Sequence, residues 1–126
     1  MANMKWTGLL LIGGVIAVAF ALKAAPKISI NAAREHLKNG ALLVDVRTVQ
    51  EFKARQLTNA VNLPLDELKN TLPSRVPDKS KTLLFYCRSG RRSGIAEGQS
   101  RALGYTNSIS IGSYEQAKKI VNGGAQ

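Results

Sequence analysis

The stretch Thr82-Leu83-Leu84-Phe85-Tyr86-Cys87-Arg88-Ser89-Gly90-Arg91-Arg92-Ser93 decides the fold. Thr82–Tyr86 is an unbroken apolar and aromatic run of strand length, as expected of a strand buried on both faces. A short loop with one glycine and three arginines follows, and Ser93–Leu103 then reads as a helix closed by Gly104. A buried strand feeding a loop and a helix is the unit of a parallel α/β sheet, in which ligands bind beyond the carboxyl ends of the strands. Cys87 sits at such an end.

The same alternation extends in both directions. Upstream, Lys27–Ile30 reads as a short strand. Asn31 reads as the N-cap of the helix that follows, which stops at Gly40. Ala41–Val46 is a second apolar strand. Thr48–Arg55 is a short helix in which Thr48 and Glu51 form a capping box. Ala60–Leu63 is a brief strand, and Leu65–Leu72 a helix with Leu65, Leu68 and Leu72 at helical spacing. Pro73 and Pro77 mark a loop. Downstream, Thr106–Ile109 is a weaker strand. Ser113–Asn122 is an amphipathic helix with Tyr114, Ala117, Ile120 and Val121 on one side. The expected architecture is α/β: a central parallel sheet of about five short strands flanked by helices, forming one domain over residues 27–126.

Residues 1–26 stand apart. Gly8–Leu22 carries no charge and follows Lys5 and Trp6. The stretch reads as a hydrophobic helix, either an uncleaved membrane anchor or a cleaved signal with a small-x-small site at Ala19-Phe20-Ala21. Lys23, Lys27, Arg34 and Lys38 follow it, and by positive-inside counting they place the domain on the cytoplasmic face. The signal-like start favours export instead.

The chain has 18 Lys and Arg against 8 Asp and Glu, a formal net charge of +10. Such a surface suits anionic partners. No run of basic residues interleaved with aromatics is present, so nucleic acid is not indicated. A single cysteine excludes an intramolecular disulfide and any metal site built on several thiolates. No cofactor is implied.

That cysteine has chemistry around it. A helix N-terminus offers unpaired N–H groups and a positive dipole end. A tight loop at Gly90 can turn backbone amides toward one point. Arg88, Arg91 and Arg92 add cationic charge. Each favours thiolate over thiol, and the thiolate is the nucleophile. The only histidine, His36, reads as a helix surface residue rather than a base. The pattern C-x-x-G-x-R-S is one residue shorter between Cys87 and Arg92 than the loop of cysteine-dependent phosphatases, so it closes more tightly around the sulfur.

On these residues the chain resembles the rhodanese family. Cys87–Ser93 resembles its active-site loop. Leu43–Leu65, LVDVRTVQEFKARQLTNAVNLPL, resembles its upstream signature. Gly104-Tyr105 and Ile111-Gly112-Ser113-Tyr114 resemble its closing segment. Val76–Lys81 is similar to small periplasmic members. Arg55, Gln56, Asn59 and Ser113 depart from the family pattern, with Asn59 and Ser113 standing at glycine positions. The resemblance implies a sulfurtransferase in which Cys87 carries sulfur as a persulfide. The donor would be thiosulfate or another persulfide, and the acceptor a thiol, cyanide or a protein. Arg88, Ser89, Gly90, Arg91, Arg92 and Ser93 would surround the substrate, with Arg88 and Arg92 on the sulfonate. Asp45, Arg47 and Glu51 would support the strand end beneath the loop. A membrane-tethered persulfide carrier with little turnover of its own is the alternative. The resemblance also implies a periplasmic domain.

Overall fold

The computed structural model describes residues 28–123. The expected anchor or signal over residues 1–26 lies outside them. No helix among the described residues is long and apolar enough to cross a membrane.

The elements run α1 (Ile30–Lys38), β1 (Leu42–Asp45), α2 (Val49–Ala54), β2 (Val61–Asn62), a 3-10 turn (Leu65–Glu67), α3 (Leu68–Arg75), β3 (Leu83–Cys87), α4 (Arg91–Ala102), β4 (Ser108–Ser113) and α5 (Tyr114–Asn122). The strands form one parallel sheet in the order β2-β1-β3-β4. β3 is central and every residue of it is buried, as its unbroken apolar run requires. Its side chains alternate between two cores. Leu83, Phe85 and Cys87 meet Leu68, Leu72 and Ala96 from α3 and α4. Leu84 and Tyr86 meet Ala33, Ala117 and Ile120 from α1 and α5. The helices thus cover both faces, and the carboxyl ends of β1, β3 and β4 come together at one rim.

Four strands form among the described residues, not about five. Over the described residues of the expected strand at Lys27–Ile30 no strand forms, and Ile30 already starts α1. Ser29 is the N-cap, accepting from Ala32 N at 3.0 Å, so Ile30 is already helical and Asn31 lies inside the helix. α3 runs on through Pro73 to Arg75, where the sequence suggested a loop. The missing Pro73 N–H costs less than the burial of Leu68 and Leu72, both fully buried, contributes. β4 spans Ser108–Ser113 rather than Thr106–Ile109. It carries an irregularity opposite Phe85 and Tyr86, where Ser110 pairs with Phe85 and Gly112 with Tyr86.

Two departures from the resembled pattern have local explanations. Asn59 adopts φ +65°, a left-handed conformation that asparagine tolerates better than most non-glycine residues. Ser113 caps α5, accepting from Gln116 N at 3.1 Å, which a glycine could not do.

Tyr105 is fully buried and its hydroxyl donates to the Val76 carbonyl at 2.6 Å, tying the segment after α4 to the end of α3. Tyr105→Phe is expected to lower stability by about 1 kcal/mol. In urea this is a fall in the unfolding midpoint at unchanged slope. An unmoved midpoint would show that the bond contributes nothing.

Candidate active site

Cys87 ends β3 and its side chain is fully buried. The chain then turns through Arg88, Ser89 and Gly90 into α4. Gly90 stands at the N-cap with φ +99° and has no side chain to cap the helix. The sulfur takes that role. Gly90 N donates to Cys87 Sγ at 3.0 Å, and the backbone N–H groups of Ser93 and Ser89 also act on it. The sulfur therefore sits where a capping oxygen would sit, at the positive end of a twelve-residue helix.

Two effects oppose each other at the thiol. Burial pushes its pKa up. The N–H groups of Ser93, Gly90 and Ser89, with the Ser93 hydroxyl, pull it down, and the balance falls below the ordinary cysteine value. The cysteine is therefore activated by donors to its anion, and no histidine or carboxylate among the described residues hydrogen-bonds to it. His36 lies on α1, and its side chain makes no hydrogen bond to the loop.

Gly90 is required by its backbone. Its φ suits only glycine without strain, and a Cβ there would meet Gly112 Cα at 3.4 Å. Gly90→Ala is expected to move the amide off the sulfur. Alkylation of Cys87 by iodoacetamide at neutral pH should slow roughly tenfold, the worth of one hydrogen bond to a charged acceptor. An unchanged rate in a folded variant would remove the amide from the account.

The arginines separate. Arg92 turns from the loop onto α2 and forks onto Glu51, Nη1 to Oε1 at 2.7 Å and Nη2 to Oε2 at 3.1 Å. The pair holds the Glu51 carboxyl down at about 2 and raises Arg92. Glu51 closes the capping box with Thr48 at the same time. Arg88 and Arg91 are exposed. Arg92 thus anchors the loop to α2, leaving Arg88 and Arg91 as the loop's solvent-facing cations.

Beneath the loop, Asp45 and Arg47 form a separate buried pair. Arg47 Nη2 reaches Asp45 Oδ2 at 2.7 Å, Nε reaches both carboxylate oxygens at 3.0 Å, and Arg47 N donates to Oδ1 at 2.8 Å. The guanidinium also lies 4.9 Å from the Tyr114 ring centre, with Arg55 at 3.9 Å from the same centre. Asp45, Arg47 and Glu51 accordingly make two ion pairs instead of one network.

One polar group near the sulfur had no signal in the sequence. Ser110, on β4, bonds the Ser93 hydroxyl at 2.9 Å. Only the register of β4 against β3 brings it there. A groove of about 560 Å³ is lined by Leu37, Ala41, Leu42, Leu43 and Ile120 among others, and by no residue of the Cys87 loop.

A family model described as Rhodanese-like domain matches residues 29–119. The thiosulfate sulfurtransferase PspE of Escherichia coli is 38% identical over 64 residues, covering 51% of this chain and 62% of that protein. The human thiosulfate:glutathione sulfurtransferase is 33% identical over 98 residues, covering 68% of this chain and 85% of that protein. The chain spans 62%, 40% and 55% of the lengths of three of its curated relatives. Among solved structures, the human single-domain sulfurtransferase TSTD1 superimposes with a TM-score of 0.65 at 31% identity, covering 75% of this chain and 96% of that one. An E. coli rhodanese with anions gives 0.59 at 32% identity, covering 61% and 91%.

Proposed function

This chain belongs to the rhodanese-like domain family, and we propose that it is a thiosulfate sulfurtransferase working through a persulfide on Cys87. The observation that carries the reading is the sulfur's place as the cap of α4, with Gly90 N at 3.0 Å. The relatives named as thiosulfate sulfurtransferases support the donor.

In the first step the Cys87 thiolate attacks the outer sulfur of thiosulfate. A sulfur–sulfur bond forms to Cys87, the bond within thiosulfate breaks, and sulfite departs with the electron pair. The terminal sulfur of the persulfide then carries the negative charge, and the loop amides face it. In the second step an acceptor thiolate or cyanide attacks that terminal sulfur and takes it away, and Cys87 leaves as thiolate. Each displacement conserves charge, and ping-pong kinetics follow. Exposed Arg88 and Arg91 draw in the dianion and stabilise the departing sulfite. Arg92, forked onto Glu51, keeps the loop closed beneath them. Asp45 and Arg47 brace the end of β1.

We propose that the uncharged Gly8–Leu22 stretch tethers this domain to a membrane, with the domain facing the periplasm; the signal-like start and the resemblance to small periplasmic members support this reading. The enzymatic reading is tested by sulfite release from thiosulfate, with cyanide or a small thiol as acceptor, at varied concentrations of both. Parallel double-reciprocal lines are expected. No sulfite above the protein-free rate with any acceptor would overturn it.

A further inference from the structure

Ser93 is fully buried beside the sulfur, with its hydroxyl oxygen 3.9 Å from Cys87 Sγ. The hydroxyl has one proton and three acceptors within reach: the Gly90 carbonyl at 2.9 Å, the Gly112 carbonyl at 3.2 Å and, once Cys87 has lost its own proton, the sulfur itself. The fourth neighbour, Ser110 Oγ, stands 2.9 Å away. With its proton committed to a carbonyl or to sulfur, Ser93 can only accept from Ser110.

From this we infer that Ser110 is a positioning residue for Cys87, acting through Ser93: it donates into the Ser93 oxygen and so reserves the Ser93 proton for the loop carbonyls and the sulfur. Rotation of one hydroxyl then moves that proton from the Gly90 carbonyl to the thiolate, with Ser110 holding the oxygen throughout. A hydroxyl that accepts one hydrogen bond becomes a better donor in the next. The inference deepens the sulfurtransferase reading and rests on it for its biological meaning. The geometry itself concerns only the sulfur's charge.

The placement follows from β4. Ile109 and Ile111 join the core on the α1 and α5 side, which leaves Ser108 and Ser110 toward α4. α4 buries Ser93, Ala96 and Ser100, and Ser110 bonds Ser93. Of these serines, Ser100 and Ser108 have no hydrogen-bond partner among the described residues, so the interface as a whole is not built to satisfy hydroxyls. The Ser110–Ser93 bond is the one placed beside the sulfur.

The test is the pH dependence of Cys87 alkylation by iodoacetamide in the full chain. The charged groups around the sulfur, Arg92 with Glu51 and Asp45 with Arg47, together with the exposed Arg88 and Arg91, are untouched by the variants. Ser110→Ala is expected to raise the alkylation midpoint by about 0.3–0.5 pH unit, the cooperative part of one hydrogen bond. Ser110→Thr, which keeps the hydroxyl, should restore it. Ser93→Ala should raise the midpoint further, and adding Ser110→Ala to it should change nothing more. A Ser110→Ala midpoint equal to the native one overturns the inference, and so does an equal shift in the Ser93→Ala background. Sulfite release by the unaltered chain is measured alongside. Its absence would sink the sulfurtransferase reading, while the alkylation midpoints still decide the role of Ser110.

Discussion

Cys87→Ser should reduce sulfite release from thiosulfate to the uncatalysed rate, a loss of roughly a thousandfold or more. The substitution removes the only thiol in the chain and keeps a small side chain that fits the same buried space. A serine hydroxyl at that position stays protonated at neutral pH. The helix end and the amides that hold a thiolate cannot turn it into a comparable nucleophile. The variant should therefore fold and bind anions yet form no covalent sulfur adduct. The native rate should rise with pH along a single limb. Its midpoint should lie below that of free cysteine, about 8.5, because the thiol is depressed. Glu51 is held at about 2 and stays ionised across that range, so it adds no second limb. The same depression links charge to stability. Folding releases a proton between the folded and unfolded thiol values. The gain is complete above the unfolded value and fades as pH falls through the folded one. Residual sulfite release by the serine variant at more than a hundredth of the native rate would move the chemistry off Cys87.

Arg47→Met is expected to cost about 3–5 kcal/mol of stability, the largest effect of any single side chain outside the hydrophobic cores. Asp45 is fully buried and Arg47 is 5% exposed. Removing the guanidinium strands a carboxylate in the interior without its ion-pair partner, leaving the Arg47 backbone N–H and the neighbouring Tyr86 hydroxyl beside it. Arg47 also donates to the Arg55 carbonyl, which ties the end of α2 to the rim. Methionine restores the bulk between Tyr86 and Tyr114 but neither the charge nor these bonds. Adding Asp45→Asn should recover part of the loss, because no unpaired charge is then buried. Urea midpoints of the two variants measure this. A single variant within 1 kcal/mol of the native protein, or a double variant less stable than the single, would show that the pair does not act as described.

The sequence made some parts of this molecule plain. The run Leu83–Tyr86 could only be a strand buried on both faces, and Gly90 could only be a turn into a helix. The Thr48–Glu51 capping box formed as its spacing required, with both reciprocal bonds present. What stayed hidden depended on distance along the chain. The partner of Glu51 is Arg92, 41 residues away, and nothing in either neighbourhood announces it. The register of β4 depends on an irregularity at Ile111 that glycine and serine residues disguise as loop. It carries Ser110 to the sulfur only once β3 and β4 are paired. Ser29 and Asn31 are both good helix caps, and the choice between them was made by where Ile28 and Ile30 pack, against the α5 core. Pro73 reads as a breaker in sequence, yet α3 absorbs it because Leu72 and Leu68 already fix the helix on the sheet.

The central claim is that one buried sulfur, held as an anion by the amides of Gly90, Ser93 and Ser89, accepts a second sulfur from thiosulfate. Intact mass spectrometry of the protein after brief exposure to thiosulfate at neutral pH tests it most directly. The account predicts a gain of one sulfur atom, located to Cys87 and removed by cyanide. An unmodified mass, from protein whose Cys87 alkylates with the midpoint of a free cysteine, would contradict it.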